Sequence, residues 1–268
     1  MKAFTLTVFS LSCLILAFTS AGYSQSASRQ IVSAHIDDTL PGWMALTAED
    51  FVAVNSAEDT WSWKDGILHC TGSPISVIQS RKEFKNFEMV VEWNHQKAAG
   101  NSGLFIWTTP ESIERLQSPN NPGPPLPDGI EIQMLDHAFT AQVQASGEAT
   151  DWFTTHGDVF PVRVKMTPFP PVSPVPNQRV MTKDFGHGEF EITGRQTPGR
   201  SFPRKQLSKG HGEWNHYYIR AINGEVRLWV NGEEVSGGTD CDPSTGYLCL
   251  ESEGSPILFR NLRIRELP

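Results

Sequence analysis

Positive charge is the first thing this sequence lacks. Its 268 residues carry 22 Lys and Arg against 30 Asp and Glu, a formal net charge of −8. No basic face is available to balance phosphate charge, which argues against nucleic acid as a partner. Cysteine is scarce, and the four present have no zinc-site spacing. A Gly-rich phosphate cradle, a nucleophile elbow and a clustered Cys/His set are all missing. No motif calls for a cofactor; a divalent metal stays open, although no oxygen-rich calcium loop is present. Helical periodicity is almost absent, and "ESIERLQ" (111 to 117) allows two turns at most.

Long apolar runs are confined to the start of the chain. Lys2 precedes an apolar stretch from Leu6 to Phe18, too short to span a bilayer comfortably, and small residues follow at Thr19, Ser20 and Ala21. This pattern predicts a signal peptide over residues 1–24, export to the periplasm or the medium, and no membrane attachment after processing. Cys13 sits inside the apolar run rather than after it, which argues against a lipoprotein. Residues 25–40 read as a linker and 41–268 as a single domain. Cys70, Cys241 and Cys249 remain after processing. Cys241 and Cys249 flank the turn-rich "DPSTGYL" and are candidates for a disulfide, which export permits; Cys70 is then free.

What the sequence has in quantity is turn residues and aromatics: 22 Gly, 19 Pro and 8 Trp. "WSWKDGILHC" reads as a hairpin about Asp65-Gly66. In "HYYIRAINGEVRLWVNGEEV", Asn223-Gly224 and Asn231-Gly232 sit between alternating runs, the first predicting a type I′ turn. "FEMVVEWNH" puts Phe87, Met89, Val91 and Trp93 on one face. "PILFRNLRIREL" offers Ile257, Phe259, Leu262 and Ile264 to the core. Many short strands with turn signals between them predict an all-β sandwich or jelly roll. Residues 118–127 are too proline-rich for a central strand. Residues 167–213 read as a long rim loop inserted in the domain.

"GIEIQMLDH" (129 to 137) is the stretch richest in chemistry. Alternation puts Glu131 and Gln133 on one face and Ile130, Ile132 and Met134 on the other. Asp136 has the opposite parity and joins the polar face only through a bulge or at a strand end. The plain alternative is a solvated face of an antiparallel strand. Further candidates are Asn101 in a Gly-Asn-Ser-Gly loop, His137 beside Asp136, and His156 and Asp158 around Gly157. His156 and Asp158 could orient an acid or hold a metal. The basic run "GRSFPRKQLSKG" adds Arg200 and Lys209, which could bind an anionic sugar or stabilise an enolate. Among Trp61, Trp63, Trp93, Trp107 and Trp152, some belong to the core and one or two could stack on sugar faces.

Six stretches taken in order, "WSWKDGILHC", "SRKEFKNFEMVVEWN", "GNSGLFI", "GIEIQMLD", "GEWNHYYIRAINGEVRLWVNGEEV" and "GYLCLESEGSPILFRNLRI", resemble the 3-keto-disaccharide hydrolase (3-keto-glucoside lyase/hydratase) family from about Trp43 to Leu267. The resemblance implies a concanavalin A-like jelly roll of two antiparallel sheets, with carbohydrate in a concave groove. Glucanases of that fold carry Glu-x-Asp-x-x-Glu on a concave strand; here the order is Glu131-x-Gln133-x-x-Asp136. A 3-keto-glycoside needs a base for the C2 proton, a donor to the enolate oxygen, and water to add after elimination at C1. On this resemblance Glu131 is the base or acid, with Gln133, Asp136 and His156 as the other catalytic candidates. Asn101, His137, Asp158, Arg200 and Lys209 are the substrate-binding candidates. The substrate is an oligosaccharide or glycoside, and a separate oxidoreductase must supply its 3-keto group. A non-catalytic lectin-like module and a direct glycoside hydrolase are the alternatives.

Overall fold

The computed structural model describes residues 41–118, 123–173, 182–184, 189–191 and 199–268, besides Met1. The expected leader and linker, and part of the 167–213 insertion, lie outside the described residues. In chain order the strands are β1 (Met44–Ala45), β2 (Phe51–Val54), β3 (Trp61–Lys64), β4 (Ile67–Cys70), β5 (Ser76–Ser80), β6 (Phe87–His95), β7 (Asn101–Thr108), β8 (Gly129–Leu135), β9 (Val159–Val162), β10 (Lys165–Pro168), β11 (Thr182–Asp184), β12 (Glu189–Glu191), β13 (Asn215–Ile222), β14 (Glu225–Val230), β15 (Glu233–Asp242), β16 (Tyr247–Ser252) and β17 (Ile257–Glu266). Two short helices join them, α1 (Pro110–Gln117) and α2 (Phe139–Ala145).

A nine-stranded sheet runs β10-β15-β14-β13-β6-β17-β4-β3, with β1 on β17. A six-stranded sheet runs β2-β5-β16-β7-β8-β9, and β11 and β12 form a small hairpin of their own. Every pairing is antiparallel. The main core joins residues of both large sheets. Met89, Val91 and Trp93 of β6 and Phe259 of β17 meet Leu104 and Ile106 of β7, Ile130, Ile132 and Met134 of β8, and Leu248 and Leu250 of β16. This is the all-β sandwich expected from the strand pattern, in the concanavalin A-like form that the family resemblance implies.

The hairpin signals are met by the backbone. Asn223 and Gly224 take φ of 51° and 74° between β13 and β14, as a type I′ turn requires. In β17 the core positions shift from odd to even numbers because Asn261, at φ 50°, forms a bulge between Arg260 and Arg263. That is how Ile257 and Phe259, and then Leu262 and Ile264, all reach the core.

Two expectations are corrected. Cys70, Cys241 and Cys249 are all free and buried, so Cys241 and Cys249 do not pair. The turn they flank carries the chain from one sheet to the other. Cys241 ends in the main core and Cys249 in a separate cluster with Phe105, Val54 and Val77 beneath Ile113 and Leu116 of α1. The second helix, α2, arises in "FTAQVQA", which carries no periodic apolar face and so gave no helical signal.

Phe87 is fully buried and meets Phe84 and Trp107 edge to face, at centroid distances of 6.0 and 6.4 Å. Phe87→Ala is expected to cost about 3–5 kcal/mol and to lower the melting temperature by roughly 6–20 °C. Calorimetry showing no loss of stability would put this residue outside the core.

Candidate functional site

The faces of β7, β8 and β16 turned away from the main core carry the chemistry. The register places Glu131 beside Phe105 and Phe160, and Gln133 beside Gly103. Leu104 and Leu250 are partners, so Gly103 in turn lies beside Glu251 of β16. Glu131 and Gln133 therefore share a face, as alternation predicts, and they are only 6% and 5% exposed. This is not a solvated sheet face. Burial pushes the Glu131 carboxyl up to about 8, with Glu253 adding to the rise and Arg200 and Arg163 opposing it.

Arg200 is the cation of the site. Its Nη1 donates to Gln133 Oε1 at 3.1 Å and lies 3.6 Å from Asp158 Oδ2. The guanidinium stacks 3.5 Å from the Phe160 ring centroid and 4.8 Å from that of Trp152. Its backbone is fixed because Ser201 exchanges two hydrogen bonds with Val159 at the sheet edge, at 2.9 and 3.1 Å. The rest of the basic run points elsewhere. Arg204 bonds Pro170 O, Lys205 pairs with Glu233, and Lys209 is exposed with only its backbone held, by Asn215.

Asp158 is fully buried, accepts from Thr154 N at 2.8 Å and from Thr154 Oγ1, and faces Arg200. Burial raises its carboxyl to about 6 against the opposing pull of Arg200 and Thr154. Gln133 Nε2 donates to Ser102 O at 3.2 Å and to Asn101 Oδ1 at 3.0 Å. A carbonyl can only accept and a guanidinium can only donate, so this amide has one orientation. Gln133 is thus an orienter of Arg200, with its own N–H groups already engaged. Asn101, pinned through its oxygen, keeps its amide N–H groups for a ligand.

Asp136 and the histidines form a second group just past the end of β8. Asp136 is 1% exposed, with Oδ1 accepting from Ala99 N (2.7 Å) and Ala138 N (3.0 Å) and Oδ2 from His211 N (2.7 Å). Burial alone would raise its carboxyl, but these backbone bonds and His211 hold it below the ordinary value. Asp136 therefore clamps three loops. Ser208 Oγ donates to Thr155 O at 2.8 Å and meets His156 Nδ1 at 2.7 Å and His137 Nε2 at 3.1 Å. With its one hydrogen spent, the hydroxyl accepts from both imidazoles. Burial, with His137 nearby, lowers His156 to about 4, so the ring is neutral. Its remaining nitrogen is an acceptor, suited to a hydroxyl group and not to an oxyanion.

Among the described residues, no group of three or more His, Cys, Asp or Glu is placed to hold a metal ion. Trp93 and Trp107 are core residues, Trp61 and Trp63 pack against the core edge, and Trp152 sits at the site over Arg200. Glu251, Gly103 and Phe160 went unnoticed in the sequence. "YLCLESEG" did contain a signal: Cys249, Glu251 and Glu253 alternate with core Leu248 and Leu250, which puts two carboxylates on the outer face.

The sandwich and its outer-face site define a concanavalin A-like β protein. Crystal structures of two proteins from Parabacteroides distasonis, each named a "putative glycosyl hydrolase", are similar in fold. One has a TM-score of 0.52 at 18% identity, over 88% of this chain and 100% of that one. The other has a TM-score of 0.50 at 20% identity, over 84% and 99%. No curated protein matches. Residues 36–265 match the model of the 3-keto-α-glucoside-1,2-lyase-like domain, and the chain belongs to that family.

Glu131 and Asp158 both bind protons more tightly folded than unfolded. Between roughly pH 4, the unfolded value, and the folded values of about 8 and about 6, these two groups hold more protons in the folded chain and contribute stability that falls as pH rises; His95 and His156, lowered to about 4, act in the opposite sense below about pH 6.5. Above about pH 6.5 those histidines are neutral in both states, so the wild-type melting temperature is expected to be higher near pH ~6.5 than near pH ~8, with a flatter dependence in Glu131→Gln. A melting temperature that climbs across this window contradicts the site electrostatics.

Proposed function

We propose that this chain is an exported carbohydrate-active enzyme that cleaves 3-keto-glycosides by removing the C2 proton, eliminating at C1 and hydrating the unsaturated product. Family membership supports the carbohydrate-active part. The observation that carries the chemistry is Glu131, a buried carboxyl with raised proton affinity on the same face as a fixed guanidinium. A base that must take a weakly acidic C–H proton near neutral pH needs that raised affinity.

The ketone at C3 acidifies the hydrogen on C2. Glu131 takes that proton, and the electron pair moves toward the C3 oxygen. Arg200, oriented by Gln133 and Asp158, is the donor for the developing oxyanion. The enolate oxygen then re-forms the C3 carbonyl, the C2–C3 π pair becomes a C1–C2 double bond, and the C1–O bond breaks with its electrons on the leaving oxygen, which takes the proton from Glu131. In hydration Glu131 takes a proton from water, the oxygen adds to C1, and the proton returns to C2. Asn101 and His156 offer a donor and an acceptor to sugar hydroxyls. A separate oxidoreductase has to make the 3-keto substrate.

Two rivals fit less well. A direct glycosidase needs a second working carboxyl, about 5–9.5 Å from the first according to mechanism; at Gln133 there is an amide, Asp136 is committed to backbone N–H groups, Asp158 is tied to Thr154 and Arg200, and Glu251 is fully buried, with no exposed surface to meet a sugar. A lectin site has no use for a carboxyl with raised proton affinity.

The test pairs a disaccharide with its 3-keto derivative. Cleavage is expected for the keto sugar alone, through an ultraviolet-absorbing enone, and Glu131→Gln is expected to lose about 10²–10⁴-fold in rate. Turnover of the unoxidised sugar supports a glycosidase, and binding without turnover of either supports a lectin.

A further inference from the structure

Glu251 has no part in the chemistry above, yet it is as fully buried as Asp158. It is 0% exposed, and neither of its oxygens has a hydrogen-bond partner. It converges with Glu131 on Gly103, which has no side chain to keep the two apart. A Cβ placed on Gly103 would lie 2.6 Å from Glu251 Oε2 and 3.2 Å from Glu131 Oε1. The two oxygens are thus separated by no more than the sum of those distances, over the strand between their own.

A carboxylate ion buried with no donor is strongly disfavoured. A second ion beside it raises the cost further. The charged groups that act on Glu251 are Glu131, Glu253 and Arg200, of which only Arg200 favours its ionisation. Arg200 is already directed at Gln133 and Asp158. Glu131 also feels Asp158 and Arg163. The balance leaves a proton on Glu251, and Glu131 is the carboxyl that lies across Gly103 from it.

We propose that Glu251 is held as a neutral carboxylic acid that donates its hydrogen to the Glu131 carboxylate, making it a positioning residue for the base. This rests on the reading of Glu131 as base. Burial, then Glu131 and Glu253, push the Glu251 carboxyl well above the ordinary range, in agreement with the geometry. The Glu251 hydrogen stays in place through the cycle. Glu131 alone gains and returns the proton moved between C2, the leaving oxygen and water. The hydrogen bond fixes which Glu131 oxygen is free for C2. It also keeps the base ionised to a lower pH than burial alone would allow.

The test uses the full chain in three variants, Glu251→Gln, Glu251→Leu and Glu131→Gln. One readout needs no activity: the infrared absorption of protonated carboxyl groups at about pH 9, above the value of about 8 to which Glu131 is raised. Wild type and Glu131→Gln are expected to show a protonated carboxyl that Glu251→Gln lacks. The second readout is the pH dependence of keto-glycoside cleavage. The amide in Glu251→Gln keeps a neutral donor, so the acid limb of the profile stays where it is. Glu251→Leu removes the donor and moves that limb up by about one pH unit or more. If the limb falls in Glu251→Gln, Glu251 was an anion and the proposal is overturned. An infrared band that survives Glu251→Gln, or a limb that Glu251→Leu does not move, overturns it as well. A fully active Glu131→Gln defeats the reading of Glu131 as base; the infrared comparison then still decides the state of Glu251.

Discussion

The site depends on one guanidinium serving more buried carboxyl groups than it can neutralise. Arg200 contacts Gln133 and Asp158, and its charge also reaches Glu131, Glu251 and Glu253. With Arg163 already paired with Asp128, Arg200 is left to serve them, and the buried acids cannot all be ionised near neutral pH. Protons are retained instead, and the pattern of retention sorts the acids by role. Asp158, closest to Arg200 and bonded to Thr154, rises least, whereas Glu131 and Glu251 rise further. A site built only to bind neutral sugar would gain nothing from this arrangement, and the fold would be more stable with amides in place of the acids.

The geometry that confines these groups follows from strand alternation. On β7, β8 and β16 alternate residues face the opposite sheet: Leu104 and Ile106, then Ile130, Ile132 and Met134, then Leu248 and Leu250. The intervening residues are forced onto the other face in a fixed register. Phe105 and Cys249 fill part of it beneath α1, and Gly103 leaves the gap that Glu131 and Glu251 share. A one-residue slip of β8 would bury Glu131 and Gln133 between the sheets, so the core holds the register and the register holds the site. Arg200 arrives from outside this framework, and its place is set by the Ser201–Val159 exchange and by two aromatic rings.

Local signals made the fold legible. The Asn-Gly turns, the alternation in β6 and the core positions of β17 each depend on neighbours in sequence, and each is realised. The shared face of Glu131 and Gln133 was legible for the same reason. Partnerships across strands were not. Nothing near Glu251 reveals that Gly103 brings it to Glu131, because that contact needs the order β16-β7-β8. The disulfide expectation failed on the same ground: loop length suggested a bridge, while sheet order sends Cys241 and Cys249 to different clusters. Of four basic residues in the run from 199 to 210, charge alone could not single out Arg200; its stacking on Phe160 and Trp152 does.

The exchange of a carboxylate for an amide at Gln133 has a physical reading within this network. An aspartate there would add another anion beside Glu131 and Asp158. It would engage Arg200 as an ion pair, drawing the guanidinium's charge away from any developing oxyanion. The amide accepts from Arg200 as a neutral dipole and passes its own hydrogens to Ser102 O and Asn101. It fixes the direction of Arg200 while leaving its positive charge largely unspent. Direct glycoside hydrolysis asks for two working carboxyls, whereas enolate chemistry asks for one base and an undiminished cation. The amide at 133 satisfies the second demand and removes a means of meeting the first.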